Sequence, residues 1–408
     1  MTEAPRPLPP ATLDVLPPWR QPPLLRAPEG SRTVFLVSLV AAAAPLAAGV
    51  VLFGYRAAAV ALLSVAGCVG FEWAYFRVTR TPALGARSHA WLTGLLLALT
   101  LPASVPWYVP LVGAAFAIVA GKAIFGGVGH FLWQPALVGR LAVGVLFAAS
   151  VNPAAYGLLE PSRVVLGDVR DTRAAGAFHR YGRHAAGAHA ADAVALPRPI
   201  VALRDLSRPG GTPHRTLADG LLKLPSMAAV LAGATAGAIG ETASLVLVLA
   251  GLYLVYRHYV AWFLPAAVVL AAAAVAAIAP IQLLGPEGGA QRVWLPLRAE
   301  GLDVGFTYIS YHVGTGGLLL AAFFLASEMT TRPVTPLGQI LFGLGCGVAG
   351  MLLRLYTPVP TPFYLAVLAM NTFTPLLERF TRPRVLGTPP WWVRAWRRHV
   401  NGESRIPK

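Results

Sequence analysis

The sequence has little charge and almost no cysteine. Only 12% of its 408 residues are charged and 56% are hydrophobic, which is too apolar a balance for a soluble globular protein. The two cysteines, Cys68 and Cys346, both lie in apolar runs, so this chain alone cannot build a disulfide framework or a cysteine-ligated zinc or iron–sulfur site. A protein that crosses a membrane several times fits these absences.

Ten apolar runs approach or reach the length of about 17–25 residues that crosses a bilayer. They cover residues 34–53, 57–76, 90–104, 107–124, 135–154, 226–256, 262–282, 312–328, 336–355 and 360–378. The sequence therefore predicts an all-α polytopic membrane protein with about ten transmembrane helices. The first run is full length and follows a Pro/Arg-rich stretch, so we expect it to remain as a helix rather than to be cleaved as a signal peptide.

Acidic residues are scarce, since 17 Asp and Glu stand against 33 Lys and Arg and give a net charge of +16. A basic balance can indicate nucleic-acid binding, but the arginines here are grouped in particular loops rather than on one soluble face. They precede the first run, follow the second and fill the C-terminal tail. By the positive-inside rule this pattern predicts that both termini are cytoplasmic, with Arg56 and Arg354 as short-loop exceptions, and it predicts no nucleic-acid partner.

The chain also contains an internal repeat. Thr93-Gly-Leu-Leu-Leu-Ala-Leu99 opens the third run, and Thr315-Gly-Gly-Leu-Leu-Leu-Ala321 opens the eighth. Copies that begin five helices apart point in opposite directions across the membrane, which predicts two inverted five-helix repeats. We divide the chain into a cytoplasmic arm (1–33), the first repeat (34–155), an external segment (156–225), the second repeat (226–378) and a cytoplasmic tail (379–408).

The sixth apolar run contains an ionisable residue, Glu241, in the segment Gly237-Ala-Ile-Gly-Glu-Thr-Ala243 that precedes its most apolar part. A carboxylate at membrane depth costs at least a few kcal/mol, so it is normally kept for a site, a pathway or a buried partner. Glu241, with Gly240 and Thr242 beside it, is therefore a candidate site. Glu72 and Glu328 are further carboxylates at or near membrane depth. For these two residues, the alternative to a functional site is snorkelling at a helix end or pairing with another charge.

A glycine turn, Phe125-Gly-Gly-Val-Gly-His130, joins the fourth and fifth runs. Clustered glycines permit tight turns and let the backbone approach a ligand, with amides that can hold an anion or the edge of a polar ring. Gly126, Gly127 and Gly129 are therefore candidate ligand contacts. The alternative is helix packing through small residues, which is common in membranes.

The external segment offers two weaker signals. Its four histidines lack the spacing that brings two metal ligands onto one helix face, so we predict no metal site there; they are His179, His184, His189 and His214. Thr212, in Pro209-Gly-Gly-Thr-Pro213, carries a hydroxyl accessible to a modifying enzyme, and an ordinary polar turn is the alternative.

Five stretches, in this order, resemble the NqrB/RnfD family of large flavin-carrying membrane subunits. They are Thr93-Gly-Leu-Leu-Leu-Ala-Leu-Thr-Leu-Pro102, Lys122-Ala-Ile-Phe-Gly-Gly-Val-Gly129 with Gln134-Pro-Ala136, Gly237-Ala-Ile-Gly-Glu-Thr242, Phe323-Phe-Leu-Ala-Ser-Glu328 with 336–343, and Ala366-Val-Leu-Ala-Met-Asn371. The resemblance covers nearly all of residues 30–387 and favours the RnfD side. It implies a multi-pass protein of the bacterial inner membrane that assembles with other integral subunits of a redox complex.

The resemblance also implies flavin. Family members carry FMN esterified through its phosphate to a threonine in a Ser-Gly-Ala-Thr-type motif on the outer face, and Thr212 is the counterpart here, although the leading Ser and the Ala are missing. A second, non-covalent flavin is characteristic of the family, and we expect its contacts at the glycine turn and in the Glu241 region. Two other departures are Gln134, where the family has Asn, and Ala326-Ser-Glu-Met329, where it has Ala-Thr-Asp-Pro.

Two functions follow from these expectations. The first is an electron-carrying subunit of an Rnf/Nqr-like complex coupled to ion translocation, in which cofactor chemistry rather than a catalytic side chain does the work. The second is a flavin-free homologue that acts as a scaffold or transport subunit of another membrane assembly. The altered flavin motif around Thr212 keeps the second function open.

Overall fold

The computed structural model describes residues 30–80, 89–127, 129–151, 199–207, 216–222, 224–233, 235, 237–284 and 290–382. The first part contains α1 (Ser31–Phe53), α2 (Tyr55–Thr79), α3 (Ala90–Thr100), α4 (Tyr108–Ile118), a π-helical turn π1 (Val119–Ala123), α5 (Pro135–Leu146) and α6 (Ala148–Val151). Three short helices follow, α7 (Pro199–Ser207), α8 (Leu217–Leu222) and α9 (Met227–Ala232).

The second part begins with α10 (Ser244–Tyr256) and α11 (Phe263–Ile278). Strands β1 (Ile281–Leu284) and β2 (Ala290–Val293) then form an antiparallel pair in which Ile281 lies opposite Val293. The remaining elements are α12 (Pro296–Ala299), α13 (Leu302–Gly314), α14 (Leu318–Leu320), a second π-helical turn π2 (Ala321–Leu325), α15 (Pro336–Tyr356) and α16 (Pro362–Thr381). The chain is thus mostly helical, and the strand pair is an addition to the all-α fold that we predicted.

Three helices in the described ranges are long and apolar enough to cross a bilayer, namely α1 from Arg32, α2 and α15. A fourth candidate span is bent by 60° between Leu302–Gly314 and Leu318–Leu325. Five shorter apolar helices correspond to five of the other predicted runs; at 1.5 Å per residue, the 11 residues of α3 reach only about 16 Å. Length alone therefore supports a membrane-embedded protein, with three or four full-length spans among the described residues.

The bent span differs from our prediction of one helix over residues 312–328. Gly316 has a φ of 73°, which favours glycine, and the helix stops at Gly314 and restarts at Leu318. The buried Arg354 guanidinium compensates the break, because it donates to the carbonyl of His312 at 2.5 Å and to that of Thr315. A break in a membrane helix leaves carbonyls without partners, and a side-chain donor satisfies them.

The same local order of elements occurs twice. In the first part, π1 is followed by a loop and by α5, which starts at a proline and is capped by the Gln134 side chain accepting from the Leu137 amide at 2.8 Å. In the second part, π2 is followed by a loop and by α15, which also starts at a proline and is capped by Thr335. Proline suits the first helical position because its missing N–H has no intrahelical partner there.

The two parts meet at the end of α3. The Ile239 amide donates to the Leu101 carbonyl and the Gly240 amide donates to the Leu99 carbonyl, both at 2.9 Å. Helix α1 also packs along α10. The backbone of residues 237–243 is therefore bonded directly to the first part of the chain.

Candidate functional site

Glu241 lies in the interior, at the contact between the two parts. Its side chain is 6% exposed, and its carboxylate accepts from the Tyr364 hydroxyl at 2.6 Å and from the Ala238 amide at 3.3 Å. The carboxylate is therefore buried against protein partners. We did not predict the contact with Tyr364 of α16, because no pattern in the sequence links a tyrosine of the tenth apolar run to the turn that contains Glu241.

The turn around Glu241 is tightly closed. A Cβ on Gly240 would come within 2.7 Å of the Leu99 side chain, so only glycine allows this approach. The Thr242 hydroxyl is buried and forms no hydrogen bond with any described residue. The cavity beside Glu241, which Arg354 and Phe363 also line, measures about 10 Å³, which is the space of about one water molecule. The free space beside Glu241 is therefore smaller than a flavin ring.

A larger cavity of about 180 Å³ lies at the glycine turn. It is lined by Glu72, Tyr75, Phe76, Thr79, Ile118, Lys122, Ala123, Gly126 and Gly127. Inside it, the Lys122 ammonium lies 2.8 Å from the Glu72 carboxylate, and both side chains are buried. A buried ion pair carries a desolvation cost, and π-helical turns such as π1, which supplies Lys122, are frequent at functional sites. We call this space the glycine-turn cavity.

The glycines of the turn serve its conformation rather than packing. Gly126, Gly127 and Gly129 have φ values of 95°, 92° and 92°. A Cβ on Gly126 or Gly129 would meet nothing within 4 Å, so the helix-packing alternative is wrong at these two positions. The amides of Gly126 and Gly127 donate to the Ala123 and Lys122 carbonyls. A ligand here would therefore meet the Lys122 ammonium and the open Cα surface rather than those two amides.

The two candidate sites lie at opposite ends of α3. His89, which precedes α3, is close enough to Lys122 and Glu72 for both charges to act on it; burial, with the Lys122 charge second, lowers the pKa of its imidazole. The other end of α3, at Leu99 and Leu101, is bonded to the turn that holds Glu241. Helix α3, which lies between these two ends, is about 16 Å long.

A third group of polar side chains lies near the loop after π2. Glu328 is half-buried, lies beside the Gln134 and Thr330 side chains and is close enough to Lys122 for that charge to act on it. Its Oε2 atom forms no hydrogen bond within the described part of the chain, and the same holds for the buried Asn371 amide group and for Gln339 Oε1. The Thr374 hydroxyl, one turn beyond Asn371, donates to the Thr331 carbonyl at 3.2 Å. Buried polar atoms without partners are rare, so this loop is a candidate for a bound water or ion.

Thr212 and the four external histidines lie outside the described residues. The described helix α7 ends five residues before Thr212 and is anchored to α13, because the buried Ser207 and Tyr308 hydroxyls lie 3.1 Å apart. The described part of the external segment thus packs on the second part of the chain.

Comparison with known proteins identifies the family. The model of the NQR2, RnfD, RnfE family matches residues 19–387. The chain belongs to this family. Proteins similar to it include a subunit of the ion-translocating oxidoreductase complex of Halorhodospira halophila, which is 32% identical over 90% of this chain and 94% of the relative.

Two further relatives carry more specific names. One is a subunit of the proton-translocating ferredoxin:NAD(+) oxidoreductase complex of Clostridium ljungdahlii, 31% identical over 83% of this chain and 87% of the relative. The other is a subunit of the Na(+)-translocating ferredoxin:NAD(+) oxidoreductase complex of Acetobacterium woodii, 28% identical over 90% of this chain and 93% of the relative. The proton-translocating and Na(+)-translocating relatives are thus similar to this chain to nearly the same degree. Overall sequence identity therefore does not indicate which ion this protein would move.

Proposed function

We propose that this protein is the membrane-embedded RnfD-type component of an Rnf-type ion-coupled electron-transport complex and passes electrons through bound flavin. Full-length similarity to subunits named as parts of such complexes supports the complex. One observation from the structure carries the flavin assignment: a buried Glu72–Lys122 ion pair shares a cavity with two left-handed glycines, Gly126 and Gly127. Its partners are then the other integral subunits of the complex and the lipid bilayer.

The glycine-turn cavity is where the residues present suit the non-covalent flavin. Its volume of about 180 Å³ is below the roughly 300–1,000 Å³ of typical ligand pockets, so it takes one edge of a ring system. The Lys122 ammonium can donate to a carbonyl or phosphate oxygen, and Glu72 balances its charge. Because both side chains are buried, they act in a medium of low dielectric, where a fixed charge has a large effect on a bound group.

When bound, a flavin supplies one-electron transfer, and the protein sets its position and its potential. The glycine turn lets the backbone come close on one side, and burial of Lys122 keeps water from the charged contact. The Tyr75 hydroxyl, 3.4 Å from the Ala123 carbonyl, helps to hold the wall of the cavity. Gly240 instead joins the two parts of the chain, because its amide donates to the Leu99 carbonyl, and Glu241 is occupied by Tyr364.

We propose that a second FMN is attached through a phosphoester bond to Thr212. Its Gly-Gly-Thr-Pro setting supports this, as does its place after α7, about thirty residues before Glu241. Helix α7 itself is held on α13 by the contact between Ser207 and Tyr308. The attached FMN would therefore follow a helix that is anchored to the rest of the protein.

We assign the ion pathway by comparing the hydrogen-bond partners of three carboxylates, Glu72, Glu241 and Glu328. Glu72 is paired with Lys122 and Glu241 accepts from Tyr364, whereas Glu328 has a carboxylate oxygen with no hydrogen-bond partner among the described residues. Unwound backbone next to a broken membrane helix is where transporters coordinate ions, and Glu328 follows π2 in such a loop. We therefore assign Glu328 to the pathway ahead of the other two.

We also propose ten membrane helices in two inverted repeats, with both termini in the cytoplasm of a bacterial cell and residues 156–225 outside. The twofold occurrence of a π turn, a loop and a capped proline helix supports the repeat. The arginine distribution supports the orientation.

Inverted membrane vesicles from a host that makes the complex test the function. We expect ferredoxin-dependent NAD⁺ reduction and ion uptake to disappear when this chain is deleted and to return when it is restored. Glu328→Gln should return electron transfer but lower ion uptake, and Glu378→Gln, an exposed carboxylate that accepts from the Val334 amide, is the comparison. A flavin-free scaffold is the second function, and it gains weight if the chain isolated from an active complex shows no flavin fluorescence after denaturing electrophoresis.

A further inference from the structure

Arg56 is a basic residue that neither the orientation of the protein nor its proposed redox role explains. It begins α2 just after Gly54, on the side that the arginine distribution assigns to the outside. Arg354, the other exception to that distribution, is explained by its bonds to the broken helix α13. The Arg56 side chain has no ion pair or hydrogen bond with any residue in the described ranges.

Arg56 lines a cavity of about 250 Å³ between the start of α2 and the segment that joins α3 to α4. The other lining residues are Ala59, Val60, Leu63, Ala103, Ser104, Val105, Pro106 and Trp107. One wall is therefore apolar, and the Ser104 hydroxyl is buried without a hydrogen-bond partner in the described chain. No side chain caps the first turn of α2, so its amides add to the positive potential around Arg56.

Aromatic residues mark the level of this cavity as a membrane surface. Trp107 is 69% exposed, and Tyr55 and Tyr108, which neighbour Arg56 and Trp107 in sequence, are 42% and 40% exposed. Exposed Trp and Tyr collect at the height of the lipid headgroups. An arginine at that height meets lipid phosphates, while the apolar wall below it meets the first carbons of the acyl chains.

We propose that this cavity binds an anionic phospholipid, with Arg56 and the Ser104 hydroxyl on the phosphate and with Ala59, Leu63 and Trp107 against the glycerol and acyl region. Charge complementarity favours an anionic over a zwitterionic lipid. A basic residue near an anionic membrane surface contributes about 1 kcal/mol, which corresponds to a preference of about fivefold.

Quenching of Trp107 fluorescence by brominated lipids tests the site. The full-length chain in non-ionic micelles is titrated with phosphatidylglycerol or phosphatidylcholine that carries brominated acyl chains, and the Trp107 signal is the difference between the native chain and Trp107→Phe. We expect half-quenching at a mole fraction of phosphatidylglycerol about fivefold lower than that of phosphatidylcholine. Equal quenching by the two lipids in the native chain would overturn the proposal.

Two variants and a control locate the effect. Arg56→Gln should bring the two lipids to within about twofold of each other, and Ala59→Phe, which fills the cavity while keeping the charge, should weaken quenching by both. Arg77→Gln removes an exposed arginine from the other end of the same helix, where it lies over Trp73, and should keep the preference. A preference that survives both cavity variants would contradict the assignment.

Inorganic phosphate separates a lipid from a small anion. Millimolar phosphate should leave the quenching by brominated phosphatidylglycerol unchanged, because the lipid contacts the apolar wall of the cavity in addition to Arg56. Release of quenching by phosphate alone would show a small-anion site and would overturn the lipid assignment. Thermal unfolding of each variant, unchanged from the native chain, confirms that the comparison is made on folded protein.

Discussion

At the scale of single residues, three left-handed glycines and one buried ion pair define the site. Gly126, Gly127 and Gly129 adopt φ values that side chains rarely tolerate, and two of them have open space where a Cβ would lie. Packing therefore does not account for Gly126 and Gly129. The cavity that Gly126 and Gly127 line together with Lys122 and Glu72 is the strongest candidate for a bound ring.

The first prediction concerns Gly127. Gly127→Leu should remove the non-covalent flavin while the protein still inserts, because the side chain enters the cavity and the left-handed backbone costs roughly 1–2 kcal/mol. Flavin extracted from the purified chain without hydrolysis measures the loss. Gly70→Leu, on a part of α2 where a Cβ meets nothing within 4 Å, is the matched control. Full flavin content in Gly127→Leu would refute the assignment.

The second prediction concerns the ion pair. Lys122→Met leaves the Glu72 carboxylate buried without its charge partner, which typically costs about 3–5 kcal/mol. The melting temperature in detergent should fall clearly, and the double variant Lys122→Met with Glu72→Gln should recover a large part of the loss. If the double variant melts no higher than the single one, the two charges do not act as a pair.

At the scale of elements, broken and short helices organise the interior. Helix α3 joins the glycine-turn cavity at one end to the Glu241 turn at the other, and Arg354 supports the bend between α13 and α14. These breaks expose backbone groups at membrane depth, where only protein partners can satisfy them. The buried arginines are thus part of the fold: Arg140 likewise donates from Nε to the Thr100 carbonyl at 3.0 Å.

The third prediction tests the bond between α16 and the Glu241 turn. Tyr364→Phe removes the hydroxyl that donates to Glu241 and leaves a buried acceptor short of a partner, which costs about 1–3 kcal/mol. Tyr253→Phe, on the exposed side of α10, should have little effect. Equal thermal stability of the two variants would mean that this bond does not hold α16 to the Glu241 turn.

Several helices could be predicted from the sequence, and there are physical reasons why other elements could not. The long apolar runs gave α1, α2, α15 and α16 closely, because hydropathy decides where a helix can lie in a bilayer. The break before Leu318 and the helix α13 were missed, since the bend depends on Arg354, about forty residues later. The strand pair was missed because its four-residue strands carry too short a pattern to separate them from a loop.

The candidate site was predictable only in part. Glycine density and the family resemblance indicated the turn at 125–129, and the cost of a buried charge indicated Glu241. The pairing of Lys122 with Glu72 and the bond from Tyr364 to Glu241 join residues 50 and 123 positions apart, and no local pattern encodes such contacts. For the same reason the separation of the two sites by the length of α3 became visible only in the structure.

At the scale of the whole molecule, the protein is a membrane-embedded member of the NQR2, RnfD, RnfE family. Its relatives are named as subunits of complexes that move protons or sodium ions, and the proposed function places this chain among the other subunits of such a complex. The orientation of the chain in the membrane decides which of its surfaces those partners reach.

The fourth prediction concerns that orientation. A small epitope inserted at residue 190 should be labelled only from outside in intact cells, and an epitope after residue 408 only after the membrane is opened. These results follow from the arginine distribution across the short loops. Labelling at residue 190 from the cytoplasmic side alone would reverse the topology and would move residues 156–225 inside.

The mass of the denatured chain decides whether this protein carries a covalent flavin. A phosphoester bond to Thr212 survives denaturation, whereas a flavin held by contacts is lost. The chain purified from cells that contain a flavin transferase should show the added mass of one FMN less one water, and Thr212→Val should show none. An unmodified native mass from such cells would eliminate Thr212 and favour the flavin-free scaffold.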